Sequence, residues 1–364
     1  MRLLNIHTLQ FKWFNTGSRD FPPYMILSHT WGPDEHTFEE HEIWLKQRGL
    51  DSNTHHEPTT LGFQKIKAFC RTCREDYQLA GVDDPDGKPL TRKVLPKHCL
   101  EEPIATEADF DGLDEFSEER SLSWQEPNAF EPVQWVWIDT CCIDKRSSAE
   151  LSEAINSMYK WYENADICIA FLSDIDIGAT AETMKAVSMS EVGKCRWWTR
   201  GWTLQELIAP RHVHFYDTNW RFFWTKRNHA RDISCITSIN WSVFVHDMSK
   251  DSFYPTQSLS SFPLAVRLSW GAERETTREE DKAYCLLGIL GVNMPLLYGE
   301  GEAAFSRLQD VLMQHGQDQS LLAWSKRHGY PDGAVARSLR QFRECQFPRM
   351  QLDYVAGSRG ALPV

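Results

Sequence analysis

Four short apolar runs predict the strands of a sheet. They share a high content of β-branched and aromatic side chains and lie at Tyr24–Leu27, Val133–Ile138, Ile167–Leu172 and Val213–Tyr216. Residues 60–80 place apolar side chains at helical spacing between the first two runs. Ser147, followed three residues later by Glu150, has the form of a capping box and predicts a second helix. The chain therefore alternates strands with helices.

This alternation predicts an α/β fold: a flavodoxin-like parallel sheet with helices on both faces. Ligands of such sheets bind outside the carboxyl ends of the strands, where the strand order reverses. Ser28 and His29 end the first predicted strand, Asp139 ends the second, and Glu206 lies between the third and the fourth. We expect these side chains to converge.

From about residue 218 the pattern becomes mixed and mainly helical, with predicted helices near 279–290 and 301–315. We divide the chain into an α/β core at 1–217, a helical C-terminal part at 218–330, and a tail or the start of a further region at 331–364. The core holds an acidic segment at about 82–131, which we interpret as a flexible insertion.

The charge is concentrated in that insertion. Residues 101–131 hold eleven acids and one base, so they supply −10 of the net charge of −12. The remainder is nearly neutral, and its basic residues form no stripe that would predict nucleic-acid binding. No apolar run reaches the ~20 residues that a membrane span needs, and the N-terminus lacks a signal-peptide pattern. We expect a cytoplasmic protein.

Ten cysteines show no disulfide-like spacing, so we expect most of them to be buried thiols. Cys70 and Cys73 have CxxC spacing, but no second ligand pair follows at the spacing of a zinc site. We predict no metal site.

The most unusual stretch joins indoles to charges: Arg196-Trp-Trp-Thr-Arg-Gly-Trp-Thr-Leu-Gln-Glu-Leu-Ile-Ala-Pro210. A surface loop has no reason to hold three tryptophans, and a core helix has no reason to hold Arg196, Arg200 and Glu206. The mixture is typical of a walled small-molecule pocket with a few placed charges.

Together with three further segments, this stretch resembles the fungal heterokaryon-incompatibility (HET) domain. These segments are Ile26-Leu-Ser-His-Thr-Trp-Gly32, Trp137-Ile-Asp-Thr-Cys-Cys-Ile-Asp144 and Asp281-Lys-Ala-Tyr-Cys-Leu-Leu-Gly288. Tyr298-Gly-Glu-Gly-Glu-Ala-Ala-Phe305 also fits. The resemblance covers roughly residues 24–320 and implies a role in fungal non-self recognition and cell death.

The chain also resembles the Toll/interleukin-1 receptor (TIR) domain. Plant TIR domains carry Leu-Ser-Phe-Arg-Gly and later Trp-Cys-Leu-x-Glu-Leu, where this chain has Leu27-Ser-His-Thr-Trp-Gly32 and Trp202-Thr-Leu-Gln-Glu-Leu207. In enzymatic TIR domains the glutamate of the second motif cleaves the nicotinamide–ribose bond of NAD. The resemblance places that role on Glu206. The plant Phe-Arg pair is absent here, which affects the expected recognition of the base.

Three of the candidate residues have an alternative role. Glu206 and Thr203 have the spacing of a capping box for a short helix. Asp139 could cap a turn, and His29 could be a structural histidine. Cys141 or Cys142 could form a nucleophilic pair with His29, although no third residue marks an orienting partner.

We therefore predict an NAD glycohydrolase with Glu206 as its catalytic residue and NAD as a substrate. No other cofactor is expected. The expected substrate contacts are Ser28, His29, Trp31, Gly32, Asp139, Arg200 and Trp202. Enzymatic TIR-like domains generally act as assemblies, so the resemblance implies a homo-oligomer in the active state, with a possible upstream receptor or additional domains. The rival interpretation is a non-catalytic TIR-like signalling module of the same pathway.

Overall fold

A computed structural model describes most of the chain. The described residues are 1–18, 20–50, 57–82, 91–96, 130–178, 188–245, 258–316, 318–325 and 335–345. The acidic run at 101–129 lies outside them, and so does our prediction that it is flexible. Of the predicted insertion, the structure describes residue 82 and the segments 91–96 and 130–131.

The described residues contain ten strands, which form two sheets. In chain order they are β1 (Arg2–Asn5), β2 (Phe11–Trp13), β3 (Met25–His29), β4 (Tyr77–Val82), β5 (Thr91–Pro96), β6 (Phe130–Glu131), β7 (Trp135–Trp137), β8 (Ile167–Phe171), β9 (Val213–Tyr216) and β10 (Phe222–Thr225). The larger sheet has the order β10-β9-β8-β3-β7-β1-β2, and the smaller sheet has the order β5-β4-β6.

The α/β class predicted from the sequence is confirmed. The four predicted strands are β3, β7, β8 and β9, and they pair with one another in parallel. Numbered along the chain, their spatial order is 2-1-3-4, which is the flavodoxin-like order. The whole sheet is mixed, however, because β1, β2 and β10 add antiparallel edges. These strands are three or four residues long, and Arg2, Lys12 and Arg221 interrupt or border their apolar residues.

The middle of the sheet is buried on both faces, as every residue of β3, β8 and β9 is buried. Successive side chains of a strand point to opposite faces. Ser28 therefore faces one layer of helices and His29 faces the other. The switch in strand order falls between β3 and β8, where Ser28 pairs with Ala170 and His29 with Phe171. This switch point is the expected position of a ligand crevice.

The α-helices of the described residues cover the larger sheet and extend beyond it. They are α1 (Phe38–Leu50), α2 (Leu61–Asp76), α3 (Ser148–Asn164), α4 (Met189–Val192), α5 (Thr203–Ile208), α6 (Ala230–Thr237), α7 (Leu264–Ser269), α8 (Asp281–Tyr284), α9 (Leu287–Leu290) and α10 (Ala303–His315). The predicted helix near 279–290 is two short helices, α8 and α9. In the part of the chain that the structure covers, no helix combines the length and the apolar character that a bilayer crossing requires.

The C-terminal helices share one hydrophobic core with the sheet. That core includes residues from Met1 to Phe342 and joins the layers. The larger sheet itself continues past residue 217, because β10 pairs with β9. At Gly288 the backbone of α9 approaches α3 so closely that an added Cβ would lie 2.1 Å from the Cβ of Tyr159. Only a residue without a side chain fits there.

We therefore expect Gly288→Ala to lower the free energy of unfolding by about 1–3 kcal/mol, the usual cost of overpacking a core. Gly49→Ala is the matched control, because it lies in the exposed end of α1 with no described atom within 4 Å of the new Cβ. That variant should gain about 0.5–1 kcal/mol from better helix propensity. Urea unfolding of both variants measures the difference. Equal stabilities would show that α9 does not dock on Tyr159.

Candidate active site

The helix α5 places Glu206 at the carboxyl end of the central strand β3. All six of its residues are buried, and no side chain of the described residues caps its N-terminus at Trp202. Thr203 uses its hydroxyl to donate to the carbonyl oxygens of Trp197, at 2.5 Å, and Arg200, at 2.9 Å. The capping box that the Thr-x-x-Glu spacing allows is therefore not formed. The carboxyl group of Glu206 is directed elsewhere.

That carboxyl group meets the end of β3. The hydroxyl of Ser28 donates to Oε2 of Glu206 at 2.5 Å, and the indole Nε1 of Trp197 donates to the Ser28 oxygen at 2.8 Å. The hydroxyl of Tyr162 donates to the carbonyl oxygen of Leu27, the neighbour of Ser28, at 3.0 Å. Ser28 thus links the central strand to the helix that bears the candidate catalytic residue.

Burial raises the pKa of Glu206 to about 8, and the charge of Asp139 adds to the rise. The hydrogen bond from Ser28, the positive charge of Arg274 and the hydroxyl of Tyr162 oppose the rise without cancelling it. Glu206 has only 5% of its surface exposed. At neutral pH the carboxyl group is therefore mostly protonated in the free protein.

Asp139 follows β7 and lies at the same end of the sheet. Its Oδ2 accepts a hydrogen bond from Nε1 of Trp31 at 2.8 Å. Its Oδ1 is buried without a hydrogen bond from any described residue and lies 3.9 Å from Nδ1 of His29. Trp31 is 44% exposed, and the ammonium of Lys145 sits 3.5 Å from the centre of its ring. An exposed indole therefore lies beside Asp139 at this end of the sheet.

His29 lies between the carboxylates of Glu35 and Asp139, on the face of the sheet opposite to Ser28. Its Nε2 is 3.5 Å from Oε2 of Glu35, too far for a good hydrogen bond. Glu35 also accepts from the backbone N–H of Gly32 at 2.7 Å and from Lys65 of α2 at 2.5 Å. Burial alone would raise the pKa of Glu35, but His29 and Lys65 outweigh it and lower that pKa to about 2. These contacts of Glu35 hold the loop that follows β3 in place.

Two of the predicted substrate contacts point away from Glu206. Arg200 donates through Nη2 to Thr277, and the indole of Trp202 hydrogen-bonds Asp281 in α8. A Cβ on Gly201 would lie 2.5 Å from Thr276, so this glycine serves packing within the chain. The other five predicted contacts lie at the carboxyl ends of the neighbouring strands β3 and β7 or just after them: Ser28, His29, Trp31, Gly32 and Asp139.

The cysteine alternatives find little support in the geometry. Cys141 and Cys142 are buried, and burial raises the pKa of Cys141 far above its usual value, so its thiolate is disfavoured. The ring nitrogens of His29 face Glu35 and Asp139 instead. Cys70 and Cys73 are buried as well. Within the described ranges, no group of three or more His, Cys, Asp or Glu side chains is arranged to hold a metal ion.

Four residues of this site were not identified from the sequence as contributors to it: Tyr162, Trp197, Lys226 and Arg274. Trp197 is 1% exposed and belongs to the core, yet its N–H also orients Ser28. Tyr162 is one of several apolar positions on α3. Lys226, which donates to the carbonyl oxygens of Leu207 and Ile208 in α5, and Arg274 come from beyond residue 217. Their motif-free surroundings gave no signal that the fold returns them to α5.

Comparisons with known proteins agree with the first resemblance. The family model described as heterokaryon incompatibility protein (HET) matches residues 125–192. A vegetative incompatibility protein, HET-E-1 of Podospora anserina, is 34% identical over 307 residues, which is 84% of this chain. The chain spans 17% of the length of that relative. No solved structure matches.

The raised pKa of Glu206 has a consequence for stability. The usual pKa of a glutamate is 4.5, whereas that of Glu206 in the folded protein is about 8. Between these two pH values the folded protein keeps a proton on Glu206 that the unfolded chain has lost. Stability therefore falls as pH rises through this window. We expect Glu206→Gln to remove the fall, so its advantage over wild type should grow on the order of 1 kcal/mol per pH unit.

Urea unfolding between pH 5 and pH 8 measures that advantage. The matched control is Glu163→Gln, which makes the same change on an exposed side chain of α3. Its difference from wild type should stay constant with pH. A constant difference for Glu206→Gln as well would mean that Glu206 is ionised in the folded protein.

Proposed function

Since the chain belongs to the heterokaryon-incompatibility (HET) family, we propose that it cleaves the nicotinamide–ribose bond of NAD during fungal non-self recognition. In this proposal Glu206 is the catalytic residue and the outcome is programmed cell death. The similarity to a vegetative incompatibility protein supports the role in non-self recognition. The support from the chain is the position of Glu206 at the switch point of the sheet.

The chemistry suits a single carboxylate. Water adds to C1′ of the ribose while the N-glycosidic bond breaks, and the bonding electrons neutralise the pyridinium nitrogen of the leaving nicotinamide. The water gives up a proton to the solvent, and ADP-ribose and free nicotinamide remain. The ribose passes through an oxocarbenium-like state that an adjacent carboxylate stabilises. No general acid is needed, because nicotinamide leaves as a neutral molecule.

The observation that carries the proposal is the desolvated, hydrogen-bonded state of Glu206. A carboxyl group whose pKa is raised in this way is a functional-site candidate. A bound nicotinamide ribosyl group would bring a positive charge to the site, and an opposite charge favours ionisation. Substrate binding would thus create the anion that the reaction needs.

The neighbouring residues suggest how the ligand would be held. Trp31 presents an exposed indole on which a flat heterocycle can stack. Asp139, whose Oδ1 has no hydrogen bond among the described residues, could accept one from a ribose hydroxyl. His29 and Gly32 would hold the loop that carries Trp31. Arg200 and Trp202 would reach a ligand only after leaving Thr277 and Asp281.

The rival function is a non-catalytic signalling module with the same fold. One observation favours it: Glu206 is only 5% exposed, and Ser28 already satisfies one of its oxygens. A structural buried acid would look the same. A catalytic Glu206 requires that the crevice opens or that a neighbouring copy reshapes it, whereas an adaptor requires neither.

We expect Glu206→Gln to abolish NAD cleavage by purified protein, while Glu163→Gln retains it. Loss of charge stabilisation of this kind costs ~2.7–4 kcal/mol of the activation barrier in other enzymes. For wild type, kcat/KM should rise with pH and level off above about 8, because the free protein must ionise Glu206. Nicotinamide release measures both. Full activity of a folded Glu206→Gln protein would refute the catalytic role of Glu206, whereas a folded wild type that cleaves no NAD would favour the signalling module.

A second expectation concerns assembly in the cytoplasm. We propose that the active form is a homo-oligomer, in which a neighbouring copy excludes water from the crevice. Misplacement of reacting groups by ~1 Å can cost about a hundredfold in rate. Specific activity should therefore rise with protein concentration, and light scattering should show larger species over the same range. A specific activity that stays flat from dilute monomer upward would indicate a self-sufficient monomeric enzyme.

A further inference from the structure

A lysine that the proposed reaction does not use is buried beneath the candidate catalytic helix. Lys226 follows β10 and has no exposed surface. Its ammonium donates to the carbonyl oxygens of Leu207 at 3.2 Å, Ile208 at 3.4 Å and Pro210. These three carbonyls lie at the C-terminal end of α5 and in the turn that follows it.

Burying an ammonium is costly unless other groups compensate for its lost hydration. Three carbonyl oxygens accept hydrogen bonds from Lys226, and they supply this compensation. The last carbonyls of a helix have no partner in the helix and carry the negative end of its dipole. Lys226 therefore acts as a C-terminal cap supplied from another part of the chain.

The opposite end of α5 is fixed separately. Arg274, from the turn after α7, donates through Nη1 to the carbonyl oxygen of Arg200 at 2.8 Å and to the Thr203 hydroxyl at 3.0 Å. Six residues are too few for a helix to be stable by itself. The direction of α5, and with it the direction of Glu206, depends on these external anchors.

We propose that Lys226 is the positioning residue for Glu206: by holding the carbonyls at the end of α5, it keeps the carboxyl group against Ser28. Glu206 precedes Leu207, the first of those carbonyls, by one residue. A small rotation of the helix would separate its carboxyl group from the Ser28 hydroxyl. The catalytic consequence rests on the proposed NAD cleavage, whereas the positioning itself does not.

The test reads the protonation of Glu206 in the presence and absence of the Lys226 amino group, which can donate to the carbonyl oxygens whether or not it is charged. Four proteins are compared by urea unfolding at pH 5 and pH 8: wild type, Glu206→Gln, Lys226→Met and the double variant. Methionine replaces the lysine with a chain of similar length and no charge. Lys226 titrates in this range too, as burial lowers its pKa to about 7. Measuring the effect of Glu206→Gln separately in each Lys226 background removes the direct contribution of the lysine.

The other groups near Glu206 are present in all four proteins, namely Asp139, Arg274, Tyr162 and Cys168. With Lys226 in place, the gain in urea midpoint from Glu206→Gln should be larger at pH 8 than at pH 5. In the Lys226→Met background we expect that pH-dependent gain to fall by about half or more, because a displaced carboxyl group regains water. An unchanged gain would overturn the proposal and leave Lys226 as a core residue only.

Activity supplies the second measurement. Lys226→Met should lower kcat for NAD by about tenfold or more with little change in KM, as expected for a misplaced catalytic group. The exposed Lys194→Met is the matched control and should retain both constants. If Lys226→Met does not fold, Lys226→Gln takes its place in both measurements, because its uncharged and shorter amide has only two N–H donors for the three carbonyl oxygens. If wild type cleaves no NAD, the proposed function fails, and the unfolding comparison still decides the role of Lys226.

Discussion

The hydrogen bond between Ser28 and Glu206 is the contact on which the candidate site depends. It joins the central parallel strand to a six-residue helix that arrives 178 residues later in the chain. Both partners are buried, and a buried carboxyl group without a donor would be strongly unfavourable. The indole of Trp197 completes the arrangement by donating to the same serine. The rest of the fold brings these three groups together and excludes water from them.

The sheet and the residues after 217 contribute different groups to this site. The sheet supplies Ser28 and Asp139 from the ends of adjacent strands, as parallel topology requires. The residues after 217 supply Lys226 and Arg274, which hold α5 at its two ends. The helical C-terminal part therefore contributes directly to the geometry of the site. A change in how that part packs would move Glu206.

The sequence predicted those parts of the fold and of the site in which an apolar run marks a strand and a polar residue marks its end. The four parallel strands were predictable from their apolar runs, and their ends located Ser28, His29 and Asp139. The strands β1, β2 and β10 were not predicted, because Arg2, Lys12 and Arg221 interrupt or border their short apolar runs. Arg200 and Trp202 were expected near Glu206 because they are close to it in sequence. A short helix turns its neighbours to other faces, and these two side chains contact Thr277 and Asp281. The contact of Lys226 with α5 could not be predicted from the sequence, since only the tertiary fold brings the two together.

The central claim is that Glu206 is a buried, protonated acid that becomes an anion when a ligand occupies the crevice. The most direct measurement is the titration of its carboxyl carbon by NMR, with selectively labelled glutamate and assignment through Glu206→Gln. In the free protein the signal should shift with a midpoint near pH 8. With a cationic ribose analogue bound, the midpoint should move to lower pH. A midpoint near 4.5, the usual value, in the free protein, or one that no such ligand moves, would contradict the account.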